Sequence, residues 1–266
     1  MGRANGNHVA HAHKAIGKKA VVYNNDLNKL NIGAFSPGLQ DAFVTIAACA
    51  RGGDNISGEI VGIESMLTHH VEISFDDFRK MTNLSMRGDG YLIEMMEKFG
   101  KEIASLQYQL ILPTKIIGGS LFPLYEIDKV TRTLKVAVSP SLSYILNDTD
   151  RNFTEFMVED HCNLTGKASK TLYRILCQWK GQGYTKWYGI DELKTVFGCT
   201  EYTTKNFLCE LRKAIKELTD KKSFRNLEMV LKRDGSQKGA PISDVQFKFS
   251  KSKYASVIIP KGEKHG

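Results

Sequence analysis

Apolar residues recur at helical spacing along the first part of the chain and then change to strand spacing. Ser36-Pro37 supplies a serine cap and a first-turn proline for a helix over 37–50. Ser74 caps a short second helix, and a longer third helix is predicted over about 90–108. The β-rich runs that follow are separated by glycines and by a turn at 128–131. Three helices followed by a β-hairpin is the order of a winged-helix domain.

The second half repeats this order of elements with little identity between the residues. In order, the pattern predicts a helix capped by Ser169, a strand over 184–188, a helix over 191–197, a turn at 198–200, a helix over 203–218, and strands over 226–233 and 244–250. The loop between the last two strands contains glycine and has basic residues on both sides. The sequence therefore predicts an α+β fold with two winged-helix domains in tandem.

These elements divide the chain into predicted regions. They are a flexible N-terminal arm at 1–20, a first winged-helix domain at 21–138, a connection at 139–167 containing a short helix, a second winged-helix domain at 168–255, and a C-terminal tail at 256–266. The arm is rich in Gly, Asn, His and Lys and shows no apolar periodicity. We therefore expect it to need no fold.

The predicted helix over 203–218 has two distinct faces, because each residue advances a helix by about 100°. One face is apolar and consists of Phe207, Leu211, Ala214, Ile215 and Leu218. A separate face is cationic and consists of Lys205, Asn206, Arg212, Lys213 and Lys216, with Cys209 among them. An ordinary amphipathic surface helix would show the same pattern. The turn before it, the hairpin after it and the regional charge favour instead a recognition helix in the major groove of DNA, where Arg and Lys reach guanine and Asn pairs with adenine.

Charge is divided unevenly along the chain. Residues 1–150 carry 15 basic and 16 acidic side chains and 151–266 carry 22 and 13, so the halves have net charges of −1 and +9. An excess of basic side chains can neutralise the phosphates of a nucleic acid, so the second half is the better candidate for a nucleic-acid surface. Expected phosphate or minor-groove contacts are Lys232, Arg233 and Lys238 at the second hairpin and, more weakly, Arg79, Lys80 and Arg87 in the first domain.

Composition excludes several other classes of protein. The five cysteines are odd in number and never form a C-x-x-C pair, which disfavours both a disulfide framework and a zinc site. No apolar run approaches the length of a membrane span or a signal peptide. We expect a cytoplasmic protein with no membrane contact, no metal and no cofactor.

A nicking enzyme is the competing hypothesis from a different class. His11-Ala12-His13 matches a metal-binding His-x-His pair, and Tyr202-Thr203-Thr204-Lys205 matches a Tyr-x-x-Lys nucleophile motif of rolling-circle initiators. That chemistry needs the histidines on a rigid strand beside the tyrosine, whereas His11 and His13 fall in the polar arm. No Walker-type glycine-rich loop is present either. The residues therefore favour a protein that binds DNA without cutting it.

Segments in both halves resemble a known family. The runs ASKTLYRILCQWKGQG (168–183) and WYGIDELKTVFGCTEYTTKNFLCELRKAIKELTD (187–220), with the strand ending QFKF, resemble the second domain of the RepE-like family of iteron-binding plasmid replication initiators. The run from VVYNNDLNKL to VAVSPSL is similar to the first winged-helix domain of that family. The resemblance lies in the ordered combination of segments, since no single short motif carries it.

The resemblance implies a function with two modes. Members of that family bind direct repeats at an origin as monomers, and as dimers they bind an inverted repeat and repress their own gene. It also implies a homodimer through the first domain, and a host initiator and a replicative helicase as partners. By position, the recognition helix is the one that holds Lys205, Asn206, Arg212, Lys213 and Lys216. A transcriptional repressor built from the same domains, with no role in initiation, remains an open alternative.

Overall fold

The computed structural model describes residues 10–11, 20–50, 70–81, 88–105, 107–111, 116–120, 122–139, 153–235 and 239–251. The helices in these residues are α1 (Pro37–Ala50), α2 (Phe75–Met81), α3 (Asp89–Ala104), α4 (Val158–Cys162), α5 (Lys167–Gln178), α6 (Ile190–Phe197) and α7 (Thr204–Asp220). The strands are β1 (Ala10–His11), β2 (Ala20–Asn24), β3 (His70–Ser74), β4 (Gln107–Ile111), β5 (Ile116–Ser120), β6 (Tyr125–Asp128), β7 (Thr133–Ala137), β8 (Phe153–Met157), β9 (Tyr188–Gly189), β10 (Glu228–Arg233) and β11 (Ile242–Lys248). Short 3-10 helices at Asn25–Lys29 and Asn31–Ala34 precede α1. Within the described ranges, none of the helices combines the length and apolar character that crossing a bilayer requires.

Both halves of the chain contain the same antiparallel sheet. The strand order is β3-β7-β6 in the first half and β9-β11-β10 in the second. In each half, the strand that precedes the second helix pairs with the last strand, and the last strand forms a hairpin with the strand before it. The first half contains helices α1, α2 and α3 with its sheet, and the second half contains α5, α6 and α7 with its sheet. The predicted α+β fold of two winged-helix units is therefore confirmed, and we call these halves the first unit and the second unit.

Local signals predicted the helices of the first unit well. Helix α1 has the predicted bounds, and the Ser74 hydroxyl accepts the backbone N–H of Asp77 at 3.1 Å, as a cap does. Helix α3 ends earlier than predicted because residues 107–111 form β4, which makes an extra hairpin with β5. The run over 120–127, which reads as one strand-like stretch, is divided between β5 and β6. Pro123 lies in the gap, since proline has no N–H for a strand ladder.

Several sequence-based expectations need correction. Ala10–His11 of the predicted arm is strand β1, parallel to β3, because the edge of β3 offers unpaired backbone groups. The predicted strand over 184–188 is reduced to β9 and an isolated pairing of Tyr184 with Lys248. Ser169 is not a cap. It is buried in the first turn of α5, and Gly166 is the N-cap.

The predicted connection over 139–167 contains the expected short helix, α4, and also a strand. That strand, β8, pairs antiparallel with β2 over its whole length, from Ala20 opposite Met157 to Asn24 opposite Phe153. Aromatic rings continue the core from this pair into the second unit, with edge-on contacts from Tyr23 to Phe156 at 6.0 Å and from Phe156 to Tyr173 at 5.4 Å. The segment between the units is therefore packed against both of them.

A buried group of charges also joins the two units. The Lys170 ammonium on α5 donates to Oδ1 of Asp41 on α1 at 2.7 Å and to the backbone oxygen of His161 at 2.8 Å. Nδ1 of His161 lies 2.9 Å from the same Asp41 oxygen. All three side chains are at most 3% exposed. Because an unpaired buried charge is costly, this arrangement ties α1, α4 and α5 to one relative position.

Candidate nucleic-acid interface

Helices α6 and α7 form a helix-turn-helix whose ends are set by local residues. Gly198 follows α6 with φ 62° and ψ 42°, a left-handed conformation that favours glycine. The N–H of Cys199 donates to the Lys194 carbonyl at 2.8 Å and closes the end of α6. The Thr203 hydroxyl caps α7 by accepting the N–H of Asn206 at 3.3 Å. The predicted turn and the predicted start of this helix are therefore confirmed.

The inner face of α7 fixes the helix on the second unit. Its buried residues are Phe207, Leu208, Leu211, Ala214 and Leu218, while Ile215 lies half-buried at the edge of this face. Phe207 packs edge-on against Phe197 at the end of α6, with ring centroids 5.5 Å apart. Burial of several large apolar side chains attaches α7 to the second unit and turns its other side outward.

The outer face of α7 carries every residue predicted for base recognition. The exposed side chains are Lys205, Asn206, Arg212, Lys213 and Lys216, with Cys209 among them. We call these residues the cationic face. The Lys213 ammonium donates to Glu210 at 2.7 Å, and that contact raises the pKa of Lys213. Lys205, Arg212 and Lys216 have no carboxylate partner among the residues that the structure describes, so their charges are available to an external anion.

The hairpin β10–β11 supplies two more exposed cations beside the loop that joins its strands. The Arg233 guanidinium donates to the Ala240 carbonyl at 2.6 Å, and the Lys232 ammonium lies 3.7 Å from Asp244. The N–H of Asp234 donates to the Pro241 carbonyl at 2.9 Å and closes the base of the loop. Lys238, at the tip, lies outside the described residues. The placement of Lys232 and Arg233 on a winged-helix hairpin is suited to phosphate contact.

Two arginines of the first unit are engaged by carboxylates. Arg79 contacts Asp76 at 3.0 Å and also contacts Asp89, and Arg132 contacts Asp89 from the β6–β7 hairpin. Hydrogen bonds from Arg132 and Arg79 lower the pKa of Asp89, which keeps it charged. Lys80 is part of α2, and Arg87 lies outside the described residues. Arg79 is therefore locally neutralised, in contrast to the cationic face of α7.

The residues of the nicking hypothesis fall in different parts of the fold. His11 belongs to β1 beside the sheet of the first unit, and His13 lies outside the described residues. Tyr202 is exposed in the turn before α7 of the second unit, one residue before the Thr203 cap. His11 and Tyr202 therefore belong to different units of the fold.

Two sets of residues at this surface were missed from the sequence. Lys221, Lys222 and Arg225 follow the end of α7 and are exposed, and the run KKSFR could have indicated them. Glu217 of α7 accepts hydrogen bonds from Thr165 and Gly166 at the start of α5. No local pattern indicates that contact, since its partners are distant along the chain.

One group of side chains has the composition of a metal site. Ligand atoms of Asp41, His161 and Cys162 all lie within 4.8 Å of one another. The Lys170 ammonium, however, already occupies an oxygen of Asp41. Burial raises the pKa of the Cys162 thiol to about 12, which opposes the thiolate that a metal would need. The group fits a buried ion pair better than a metal centre.

Comparisons with known proteins agree with this architecture. A solved structure, "Crystal structure of Pi initiator protein in complex with iteron DNA", superposes with a TM-score of 0.61 at 14% identity, covering 90% of this chain and 100% of that chain. A curated relative, "Probable replication protein rep" of Bifidobacterium longum (strain NCC 2705), is 29% identical over 120 residues, 45% of this chain and 40% of that protein. The match thus spans well under two thirds of that relative.

A family model also matches more than half of the chain. Its description is "Initiator Replication protein, WH1", and it covers residues 20–177. This range holds the first unit from β2 onward together with β8, α4 and most of α5. The chain therefore belongs to the initiator replication protein family.

Proposed function

We propose that this protein initiates plasmid replication by binding repeated double-stranded sequences, iterons, at an origin, with α7 in the major groove. The observation that carries this proposal is the cationic face: α7 buries one side in its unit and exposes Lys205, Arg212 and Lys216 without carboxylate partners among the described residues. A rigid helix with free cations on its outer side is suited to reading base edges. The Pi initiator, which shares this fold, was solved in complex with iteron DNA, and that complex supports the same class of ligand.

The roles of individual residues follow from their chemistry. Arg212, Lys205 and Lys216 are expected at guanine acceptors or phosphates, and Asn206 at adenine. Lys232, Arg233 and Lys238 on the hairpin would contact phosphates beside the groove. The first unit would contribute weaker contacts from Arg79, Lys80 and Arg87, since Arg79 is already paired with two carboxylates.

The proposal extends to regulation by analogy with the family that the sequence resembles. A homodimer through the first unit would bind an inverted repeat and repress the gene of this protein. Monomers on the direct repeats would open the origin and recruit a host initiator and a replicative helicase. None of these steps requires catalysis by this chain, so we propose a cytoplasmic DNA-binding protein that is not an enzyme.

Binding to DNA from the parent plasmid tests the central claim. Duplexes tiled across the region next to the coding sequence are used as probes, with scrambled duplexes of equal composition as competitors. We expect a subset of probes to bind about a thousandfold or more tighter than scrambled DNA. Footprinting of that subset should reveal a ladder of evenly spaced direct repeats. Equal competition by scrambled duplexes would contradict the proposal.

A replication assay separates an initiator from a simple repressor. A plasmid that carries the repeat region but no other origin is introduced into cells that supply the protein in trans. An initiator maintains the plasmid, and a variant with Arg212→Ala and Lys216→Ala does not. Loss of the plasmid together with full repression of a reporter would favour the repressor instead.

A further inference from the structure

Glu217 links the recognition helix to the first helix of the second unit. Its Oε1 accepts the backbone N–H of Thr165 at 2.6 Å and the Thr165 hydroxyl at 2.8 Å. Its Oε2 accepts the backbone N–H of Gly166 at 3.0 Å. Gly166 is the N-cap of α5 and provides no side-chain cap of its own. A carboxylate of α7 therefore caps α5 from a distant part of the chain.

Glu217 makes this contact as a charged carboxylate. Partial burial raises the pKa of Glu217, but hydrogen bonds from Ser169, Thr165 and Gly166 outweigh burial and leave the pKa below its ordinary value. The N–H groups at a helix start carry the positive end of the helix dipole, which stabilises an anion. Hydrogen bonds to a charged acceptor are about twice as strong as those between neutral groups. Glu217 is thus held as a charged acceptor against fixed backbone donors.

The position of Glu217 on α7 connects this contact to the cationic face. Asn206, Glu210, Lys213 and Glu217 follow one another at intervals of three or four residues and lie in one row along the helix. Asn206 and Lys213 belong to the cationic face, so this row is its edge. Holding Glu217 in place therefore restricts rotation of α7 about its axis. A rotation of about 10° moves a side-chain tip by about 1 Å, which is enough to weaken a hydrogen bond to a base edge.

Helix α5, relative to which α7 would rotate, is itself held in place. Lys170, four residues after the Gly166 cap, is bonded to Asp41 of the first unit and to the His161 carbonyl. The N–H of Lys170 also donates to the Gly166 carbonyl at 3.0 Å. The start of α5 is therefore bonded to the first unit, and Glu217 bonds α7 to the start of α5.

We infer that Glu217 is a positioning residue for DNA reading: by capping α5 it sets the rotation at which the cationic face meets the base edges. This inference rests on the proposed function. The charge of Glu217 and its positioning role predict different effects on DNA binding when the carboxylate is removed. Loss of a negative charge beside the cationic face strengthens binding to any DNA, because phosphates are negative. Loss of a positioning contact lowers the preference for cognate repeats over scrambled DNA.

Glu217→Gln tests the contact directly. The amide keeps the size of the side chain, but one of its two terminal atoms becomes an N–H donor and faces the donors of Thr165 or Gly166. Glu210→Gln is the matched control, since it removes a charge from the same row of α7, and the Glu210 side chain accepts its described hydrogen bond from Lys213 of its own helix. Binding to a cognate repeat and to a scrambled duplex is measured for both variants at one salt concentration, with active protein counted by stoichiometric titration.

Gly166→Ala tests the same contact without changing charge. A β-carbon at Gly166 would stand 2.7 Å from Oε2 of Glu217 and 2.6 Å from Oγ of Ser169, so the carboxylate has to move. Gly181→Ala is the matched control, because no atom lies within 4 Å of a β-carbon there. Thermal unfolding of each variant identifies any that fails to fold. If Gly166→Ala fails to fold, the test rests on Glu217→Gln alone.

The ratio of cognate to scrambled affinity decides the outcome. We expect Glu217→Gln and Gly166→Ala to lower this ratio by roughly three- to tenfold, while the two controls leave it nearly unchanged. If Glu217→Gln only strengthens binding to both duplexes, as Glu210→Gln is expected to, the positioning role is wrong. If the wild-type protein shows no preference for any repeat, the proposed function fails and the positioning role fails with it.

Discussion

Gly33 lies so close to the backbone of Val196 that a β-carbon on Gly33 would stand 2.2 Å from the Val196 carbonyl oxygen. Gly198 meets the first unit in the same way, since a β-carbon there would stand 2.5 Å from the Cα atom of Ala34. Gly33 and Ala34 belong to the 3-10 helix before α1, and Val196 and Gly198 lie at the end of α6, where the turn to α7 begins. The turn between α6 and α7 is therefore packed backbone to backbone on the first half of the chain.

Gly33→Ala is expected to lower the free energy of unfolding by about 1–3 kcal/mol, because the new β-carbon overpacks a contact between two backbones. Urea denaturation measures the change. Gly90→Ala is the control, since no atom lies within 4 Å of a β-carbon at this helical position. That substitution should stabilise the protein by up to about 1 kcal/mol. A Gly33→Ala midpoint equal to that of the wild type would contradict the close packing.

Arg212→Ala is expected to weaken binding to a cognate repeat by about 1–3 kcal/mol and to relax the preference at one base pair. The reason is that Arg212 is exposed on the cationic face with no carboxylate partner among the described residues. Binding to a set of repeats with single base changes measures both effects. Lys101→Ala on the exposed side of α3 is the control. An equal loss on scrambled DNA would show that Arg212 contacts phosphates and reads no base.

Lys232→Ala is expected to reduce the slope of log binding constant against log salt concentration by roughly one unit. A phosphate contact releases about one counterion and carries no sequence information, so the order of preference among repeats should not change. Titrations at several salt concentrations provide the slope. Lys238→Ala is expected to act in the same way. An unchanged slope would remove the residue concerned from the interface.

Stability is expected to fall as the pH falls from about 6.5 to about 4, because of His161. Burial lowers its pKa to about 4 in the folded protein, although Asp41 acts in the opposite direction. In the unfolded chain the imidazole takes up a proton near pH 6.5. The unfolded state therefore binds more protons within this window, so acidification favours unfolding. Between about pH 7 and about pH 5 the loss from this one group is roughly 2 kcal/mol.

His161→Asn isolates that contribution. The asparagine amide can donate to Asp41 as the imidazole does, but it does not titrate. Urea denaturation at both pH values should show a smaller loss for the variant than for the wild type. If the two proteins lose stability equally, His161 does not carry the pH dependence.

Helix α7 was predictable because its signals are local. Thr203 caps the helix that begins one residue later, and Gly198 ends the preceding helix in the left-handed conformation that glycine tolerates. The apolar and cationic residues of α7 separate by helical periodicity alone, and burial follows that separation. Helix propensity and helical periodicity depend on residues only a few positions apart, so both can be recognised in the sequence.

Contacts between residues that are distant along the chain have no local sequence pattern from which they could be predicted. Ser169 has the residue type of a cap, yet the cap of α5 comes from Glu217, which local pattern does not connect to it. Arg79 was expected at a phosphate, but Asp89 on the next helix neutralises it. The polar arm gave no strand signal, and Ala10–His11 still pairs with β3 because an edge was open to it.

Pairing of β2 with β8 has a consequence for how the chain matures during synthesis. Residues 20–24 leave the ribosome well before their partner strand, which is incomplete until Met157 has followed. The β2 segment lacks this partner strand through that interval, and long-range pairing of this kind is slow and open to aggregation. Slow translation or early termination before residue 157 would therefore favour aggregates, and a chaperone that covers this segment should raise the yield of native protein.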